Sequence, residues 1–528
     1  MTLQTVVEST LGGQGGLSSR LSDNLSGTLA IHAPATGEWL GDVRVPSSEQ
    51  IAEALDRARA AQARWASTAL ESRCEQVLLL RDAIVDRAEE LIDLLVREAG
   101  KPRQEALVHE VMVVADLASY YAKRATKILA PREIDLHLFK HRRSYVHYTP
   151  RGVVGIISPW NYPLLVPAGE MITALIAGNA VLHKPSELTP LVALKLKEIF
   201  DGTGLPRDLY QVLPGDAVTG AQLVEARPDQ LFFTGSQAVG RRVAAACGER
   251  LIPCTLELGG KAAAIVCEDA DLERSARAIV FGAFANSGQV CVGVERVYAH
   301  ASLHDALVQR IVTLTEQLRQ GDPGTAMVDV GTLISAAHRD RVEALVEEAV
   351  ASGAKLRAGG KRRPGPGFFY EPTVLTGCTH DMRILREETM GPVIPIVRVA
   401  SSEEALGFTN QSRLGLIHYV FTRDKLRGRR IAEKLQAGTV MINEVLTAYA
   451  SPELPFGGIK DSGVGRIHGD EGLKAMCETR SVDYNRGPMF KREPLWFPYR
   501  KRTYATMVRL MRAFLRSGSP LKKAIDLL

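Results

Sequence analysis

Four short segments of this chain carry residue types that could do chemistry at the end of a strand. Ser158-Pro159-Trp160-Asn161 follows one apolar run and Lys184-Pro185-Ser186-Glu187 a second. Thr234-Gly235-Ser236-Gln237-Ala238-Val239-Gly240 follows a third, and Leu256-Glu257-Leu258-Gly259-Gly260-Lys261 comes next. A Lys with an acidic residue three positions on could hold two ribose hydroxyls, the ammonium donating and the carboxylate accepting. Gly235-Ser236 opening a helix offers bare N–H groups to a pyrophosphate. Glu257, flanked by two leucines, is costly to bury without a purpose or a partner, and Lys261 would be the plain structural partner. Singly, a strand-end Lys or a Gly-Ser helix start often serves structure alone. The glycine-rich dinucleotide fingerprint G-x-G-x-x-G follows none of these strands.

The elements that must position these segments can be read from the pattern of apolar residues. Ser48 to Thr68 and Glu71 to Ala99 repeat apolar positions every three or four residues and predict amphipathic surface helices. From Arg151 the texture changes to short apolar runs: Gly152 to Ile157, Ala180 to Leu182, Leu209 to Leu213 and Leu231 to Phe233. Helical stretches alternate with them (Leu164 to Ile176, Pro190 to Phe200, Ala217 to Ala226, Gln237 to Cys247), each close to the length of a crossover. This alternation predicts a doubly wound α/β domain, and the quoted segments then end strands at the carboxyl edge, where such sheets bind ligands. A second alternating set after Glu257, with Ala262 to Val266 and Arg296 to Tyr298, predicts a second α/β domain.

Composition narrows the class. The chain has 528 residues, 45% hydrophobic and 24% charged, long enough for two or three packed domains. Residues 1–22, rich in Gly, Ser and Thr, read as a flexible leader without a signal-peptide pattern. The seven cysteines are odd in number and scattered, which fits free thiols in a reducing cytoplasm. We expect no metal: His137 and His141 have a ligand-like spacing, but their segment reads as a strand that would hold them about 13 Å apart. His183, inside an apolar run, reads as a packed or capping residue. The net charge of +5 is concentrated in the tail: residues 494–525 hold eight Lys/Arg and no acid, so the rest carries 5 − 8 = −3. Nothing in the body suggests nucleic acid binding.

With Phe284-Ala285-Asn286-Ser287-Gly288-Gln289-Val290-Cys291 added, the sequence resembles the aldehyde dehydrogenase superfamily. Later matches are Arg386-Glu387-Glu388-Thr389-Met390-Gly391-Pro392 and Pro455-Phe456-Gly457-Gly458-Ile459-Lys460-Asp461-Ser462-Gly463. Pro163 to Gly169 and Phe281 to Arg296 are similar to a bacterial branch that includes carotenoid-type dialdehyde dehydrogenases and some semialdehyde dehydrogenases. The resemblance implies two doubly wound Rossmann-like domains plus a small oligomerisation sheet. Its boundaries would be 23–136 and 149–257 for NAD(P) binding, 258–452 for catalysis, 137–148 and 474–487 for assembly, 453–473 returning to the site, and 488–528 as a basic tail.

The implied chemistry can be argued residue by residue. A thiolate adds to the aldehyde carbonyl, and the tetrahedral adduct expels hydride more readily than the free aldehyde does. Cys291 is the implied nucleophile. The Asn161 side chain and the Cys291 N–H are the implied oxyanion donors, although Asn161 could instead cap the following helix. Glu257 is the implied base for thioester hydrolysis. Glu388 is the implied partner of the nicotinamide ribose, and Lys184 and Glu187 of the adenosine ribose. Ile157, Ser158, Trp160, Ser186, Gly235, Ser236, Gly240 and Leu258 complete the implied cofactor contacts. Glu187 favours NAD, because a carboxylate repels a 2′-phosphate, but NADP stays open with Lys184 close by. The chain departs from the family at Met390 and at Ala262-Ala263, and neither change removes a reacting group.

Leu165, Val166 and Gly169 suggest a wide apolar entrance, hence apolar, aromatic or long-chain aldehydes. A succinate-semialdehyde-type enzyme is the alternative, and a non-catalytic protein on the same fold a remoter one. The resemblance also implies a homodimer or homotetramer joined by a strand within His137 to Tyr148, paired with one near Arg480 to Tyr484. In the tail Met507, Leu510, Met511, Phe514 and Leu515 share a helical face, with arginines between them. A docked helix and a peripheral contact with an anionic membrane face both fit that pattern.

Overall fold

The computed structural model describes residues 27–486, 496–515 and 517, so the leader at 1–22 lies outside the described residues. Its contacts divide into two units. The first holds the described residues up to Ala130 together with Tyr148–Glu478, and the second holds Pro131–His147 and the described residues from Thr479 on.

Two sheets organise the first unit. One has six strands in the order Gly463–Val464, Cys254–Leu258, Gln230–Gly235, Val153–Ile157, Ala180–Lys184 and Tyr210–Val212. All its pairings are parallel except that of the short Gly463–Val464, where Gly463 lies opposite Glu257. Val153–Ile157 and Ala180–Lys184 are buried at every position, as strands covered by helices on both faces must be. The strand that comes first along the chain, Val153–Ile157, lies between the second and the fourth. The winding therefore reverses beside it, and its carboxyl end faces the crevice in which such sheets take ligands. The other sheet has seven strands, with Ala263–Val266 between Arg296–His300 and Ile417–Phe421. The alternation after Arg151 thus gives the parallel sheets it predicts, with boundaries that move by up to three residues.

Two local expectations are corrected. Glu71 to Ala99 forms two helices, Leu70–Asp86 and Ala88–Ala99, because Arg87 leaves helical geometry (φ −107, ψ 22). Arg87 instead clamps Glu90 and Glu198, which turns the second helix so that its own face is buried. Residues 135–141 form no strand: the strands are Arg132–Ile134 and Arg142–Pro150, with the connection between them. Leu138 and Phe139 stay exposed there, so the alternation has no face to bury, and the Arg142 guanidinium lies 4.8 Å from the Phe139 ring. Arg132–Ile134, Arg142–Pro150 and Cys477–Asn485 make a three-stranded sheet, with Asp483 accepting from Arg142 and Ser144 at 2.9 and 2.8 Å.

Buried glutamates hold the helices that follow the first two strands. Glu98, fully buried, accepts the N–H groups of Leu191 and Val192 (2.7 and 2.9 Å), the bare donors that open the helix Pro190–Asp201. Glu110, in the π-helical turn Leu107–Val111, accepts those of Leu164 and Leu165 (3.1 and 2.7 Å) at the start of the helix Leu165–Ala177.

Candidate active site

The turn that presents Cys291 runs against local preference. After the helix Leu272–Phe284, Asn286 (φ 49, ψ 35) and Ser287 (φ 56, ψ 32) both take left-handed geometry. That costs on the order of 1 kcal/mol for each and persists only where the surroundings over-determine it. Here they do. The Asn286 N–H donates to Glu105 (2.7 Å), and its side-chain amide donates to the carbonyls of Asn161 and Gln289 (3.1 and 3.2 Å). The Gln289 amide reaches the carbonyls of Asn286 and Thr332 and accepts from the Ile334 N–H. A side chain on Gly288 would stand 2.2 Å from the Gly391 carbonyl oxygen, so only glycine passes that point. Burial pushes the Cys291 thiol up to about 12, and the nearby carboxyls of Glu388 and Glu257 push the same way.

Asn161 belongs to this turn. Its Nδ2 donates to the Gln289 carbonyl at 3.0 Å. It does not cap the next helix, whose leading N–H groups are taken by Glu110. The Asn161 carbonyl in turn accepts from Lys101 Nζ at 3.0 Å. Lys101 is paired with Glu110 at 2.5 Å, both side chains 0% exposed, and its ammonium lies 3.8 Å from the centre of the Tyr162 ring.

Glu257 stands on the strand Cys254–Leu258 with both carboxyl oxygens buried and no partner among the described residues. Burial holds it well above the usual carboxylate range; the charge of Glu170 adds to this and Arg466 opposes it. Lys261 is not its partner. It pairs with Glu295 at 2.7 Å and donates to Thr389 at 3.0 Å. Gly457 makes room for the carboxyl, since a Cβ there would lie 2.8 Å from Glu257 Oε1.

The other expected residues line the strand ends. Ser158, next to Ile157, bonds through Oγ to His183 Nε2 at 2.7 Å, and His183 Nδ1 meets the Tyr210 hydroxyl at 2.8 Å, so His183 is a packed polar link. The Trp160 ring sits edge-on to His338 at 5.4 Å. Lys184, almost buried, lies 3.6 Å from the half-exposed Glu187, and Ser186 accepts the Leu188 N–H at 3.3 Å. Gly235 ends its strand and Ser236 caps the helix Gln237–Arg250, accepting from the Val239 N–H. Gly240 lets that helix approach Leu258: a Cβ there would lie 2.5 Å from a Leu258 methyl. Glu388 accepts the Gly260 N–H at 2.9 Å, and burial, with Glu295 adding, raises it to about 8. Ser236, Gln237, Arg341, Glu388 and Asp461 line one cleft of about 600 Å³.

A Cβ at Gly169 would lie 3.3 Å from Leu117 Cδ1, so this face of the helix Leu165–Ala177 packs on the helix that carries Leu117. Sequence reasoning missed Lys101, Glu105, Glu110, Glu170 and Glu295, which are charged residues within otherwise ordinary stretches. Among the described residues no group of three His, Cys, Asp or Glu could hold a metal ion. The arrangement offers a thiol able to add to an electrophilic carbon, amide donors beside it, and a buried carboxyl able to take a proton from water.

The aldehyde dehydrogenase family profile matches residues 22–482. The chain is 40% identical over 457 residues to a putative succinate-semialdehyde dehydrogenase [NADP(+)] 2 of Mycobacterium ulcerans, covering 86% of this chain and 88% of that one. It is 39% identical over 479 residues to the 4,4'-diapolycopene aldehyde oxidase of a Methylomonas species, covering 89% and 88%. Among solved structures, an aldehyde dehydrogenase of Mycobacterium tuberculosis complexed with NAD+ superposes with a TM-score of 0.84 at 35% identity, covering 88% and 96%.

Replacing Lys101 with Met leaves Glu110 buried without its counter-charge. We expect a loss of about 3–5 kcal/mol in chemical denaturation. An unchanged midpoint would show that the pair does not hold the Asn161 turn.

Proposed function

The chain belongs to the aldehyde dehydrogenase family, and on that premise we propose that it oxidises an aldehyde to a carboxylic acid through a thioester on Cys291. Cys291 loses its proton to solvent, and the thiolate Sγ attacks the carbonyl carbon. The oxyanion that forms takes hydrogen bonds from the Cys291 N–H and from the Asn161 Nδ2 hydrogen that Gln289 leaves free. The adduct re-forms its carbonyl as a thioester by losing a hydride, for which a nicotinamide held beside Glu388 would supply the acceptor. Glu257 then draws a proton from water, the water oxygen adds to the thioester carbon, and the C–S bond breaks to release the acid. Glu257 carries this reading: a carboxyl buried without a partner next to the thiol fits a base for hydrolysis better than a structural ion pair.

The strand ends fit a dinucleotide. Lys184 and Glu187 stand close enough to share one ribose, the Ser236 helix start offers N–H groups to phosphate, and Glu388 keeps Oε2 for a second ribose. Glu187 makes NAD the favoured form, with NADP accepted less well. Buried Leu165 and Val166 favour an apolar, aromatic or long-chain aldehyde. A succinate-semialdehyde activity is the second reading, the alternative that the resemblance already left open and the one that the names of several mycobacterial relatives carry. In a steady-state screen we expect kcat/KM to rise with apolar chain length; a clear preference for succinate semialdehyde would reverse the assignment. Glu257→Gln should keep an NADH burst near one per active site and then turn over slowly, while Cys291→Ala gives neither. Equal loss of burst and steady state in Glu257→Gln would overturn the base assignment.

We assign assembly into a homodimer or homotetramer to the strand Arg142–Pro150 and its neighbour Cys477–Asn485. Light scattering at micromolar concentration should give at least twice the chain mass, and a monomer contradicts the assignment.

We also read the helix Lys501–Leu515 as a peripheral contact for an anionic membrane surface. Tyr504, Met507, Leu510, Met511, Phe514 and Leu515 fall on one side of it, and Lys501, Arg502, Arg509 and Arg512 on the other. Met511, Phe514 and Leu515 are exposed, as are Phe497 and Tyr499 just upstream. Lys522 and Lys523 of the basic run lie outside the described residues. No described helix is long and apolar enough to cross a membrane. The full chain should sediment with vesicles containing phosphatidylserine at low salt and release at high salt, and Phe514→Ser with Leu515→Ser should weaken binding at least tenfold. An intact chain that stays in the supernatant leaves only the docked helix.

A further inference from the structure

The helix Leu165–Ala177 is buried along its whole length, and Glu170 is its one ionisable residue. Packing does not ask for a carboxyl there, since a Met or Leu would fill the same space without the cost of taking a charge out of water. Local structure does not ask for one either: Glu170 is 4% exposed, and its Oε1 is buried with no partner among the described residues.

Glu170 is not alone in this. Of the thirteen buried side-chain atoms that lack a partner among the described residues, six belong to Glu170, Glu257, Tyr449 and His468. Folded proteins leave few such atoms, so their gathering in one place needs a reason. The four residues form one cluster. The Tyr449 ring lies 4.5 Å from the ring of His468 and 4.9 Å from that of Phe456. Phe456 precedes Gly457, the glycine that gives the Glu257 carboxyl its room. The helix carrying Glu170 packs on the helix Gly469–Ala475, which begins directly after His468. Glu170 is close enough for its charge to act on both Glu257 and Tyr449.

We propose that Glu170 and Glu257 form an electrostatically coupled carboxyl pair without a hydrogen bond between them, in which Glu170 is a positioning residue that sets how readily Glu257 works as the hydrolytic base. The proposal rests on the reading of Glu257 given above. The remaining members of the cluster do not compete for the proton. Burial lowers the His468 imidazole to about 3 and lifts the Tyr449 phenol far above its usual range, and Tyr121, hydrogen-bonded to the Gly469 carbonyl, is likewise lifted by burial. Among the described residues Arg466 opposes the effect on Glu257, Cys291 is a further titratable neighbour, and Asp470, Glu453 and Glu471 add like charge beside Tyr121. Burial raises both carboxyls, Glu170 to about 8 and Glu257 well above the usual carboxylate range, and a charge on Glu170 opposes loss of the proton from Glu257.

When the pair holds one proton, its negative charge can sit on either carboxyl. When the charge is on Glu257, that carboxylate takes a proton from water as the new C–O bond forms and the C–S bond breaks to leave the Cys291 thiolate. The pair has then gained one proton, and loses one to solvent before the next turnover. No electrons move in this half-reaction.

The experiment is the pH profile of steady-state turnover, together with the NADH burst, for the full-length wild type, Glu170→Gln and Glu170→Met. Both replacements remove a like charge beside Glu257, so the rising limb of the profile should move to lower pH by about one unit, with the burst kept near one per active site. The Met variant suits the apolar surroundings and serves if the Gln variant does not fold. A folded variant of either kind whose profile superimposes on the wild type overturns the proposal. So does loss of the burst together with the steady state, which assigns Glu170 to the fold. The base assignment fails separately, in Glu257→Gln, if that variant loses burst and steady state together.

Discussion

The ion pair between Lys101 and Glu110 is the interaction on which the site's geometry depends. Two opposite charges with no exposure are held only because each has further partners: the Asn161 carbonyl and the Tyr162 ring for the ammonium, and the N–H groups of Leu164 and Leu165 for the carboxylate. The desolvation cost of such a pair can match its attraction, so its worth lies in what it fixes. It fixes the loop between the strand Val153–Ile157 and the helix Leu165–Ala177, and through Asn161 the turn before Cys291. Glu105 completes the bracket by accepting the N–H of Asn286. Glu98 repeats the device one helix away.

How much of this could be read beforehand depended on the range of each interaction. Helices and strands whose apolar residues repeat with a clear period were legible to within three residues, because local pattern and global burial agree there. Glu71 to Ala99 misled because two helices of the same period meet at Arg87, and periodicity does not register a change of direction. Residues 135–141 misled because alternation predicts a strand only when one face has something to cover. In the candidate site, the ordered motifs single out Cys291, Asn161 and Glu257, and the structure places Asn161 on the turn before Cys291 and Glu257 near its thiol. Lys101, Glu105 and Glu110 were not legible. Lys101 sits in the short link after the helix Ala88–Ala99, Glu105 and Glu110 sit in helical turns, and their partners lie from nine to 181 residues away. Lys261 was the plain partner for Glu257 on paper, but Glu295 holds it.

Several conflicts between local preference and structure fall around Cys291, as expected where function sets the terms. Asn286 and Ser287 hold left-handed geometry, Gly288 passes under the Gly391 carbonyl, and the carboxyls of Glu170 and Glu257 lack partners. Each would be easier to build another way. The buried glutamates and the apolar helices around them supply the compensating stability, so the rigid parts of the first unit and its strained turn are one design.

Leu165, Val166, Gly169 and Glu170 share a little over one turn of a single fully buried helix. On the proposed assignment of Leu165, Val166 and Gly169 to the entrance, a change of bulk there falls on a segment that also carries a member of the carboxyl cluster, and Gly169 already abuts Leu117. In evolutionary terms, substrate range and rate would then not be independent traits. A lineage that altered these positions would alter hydrolysis with them, and recovery would draw on second-site changes on the helix Met112–Ile128, which carries Leu117.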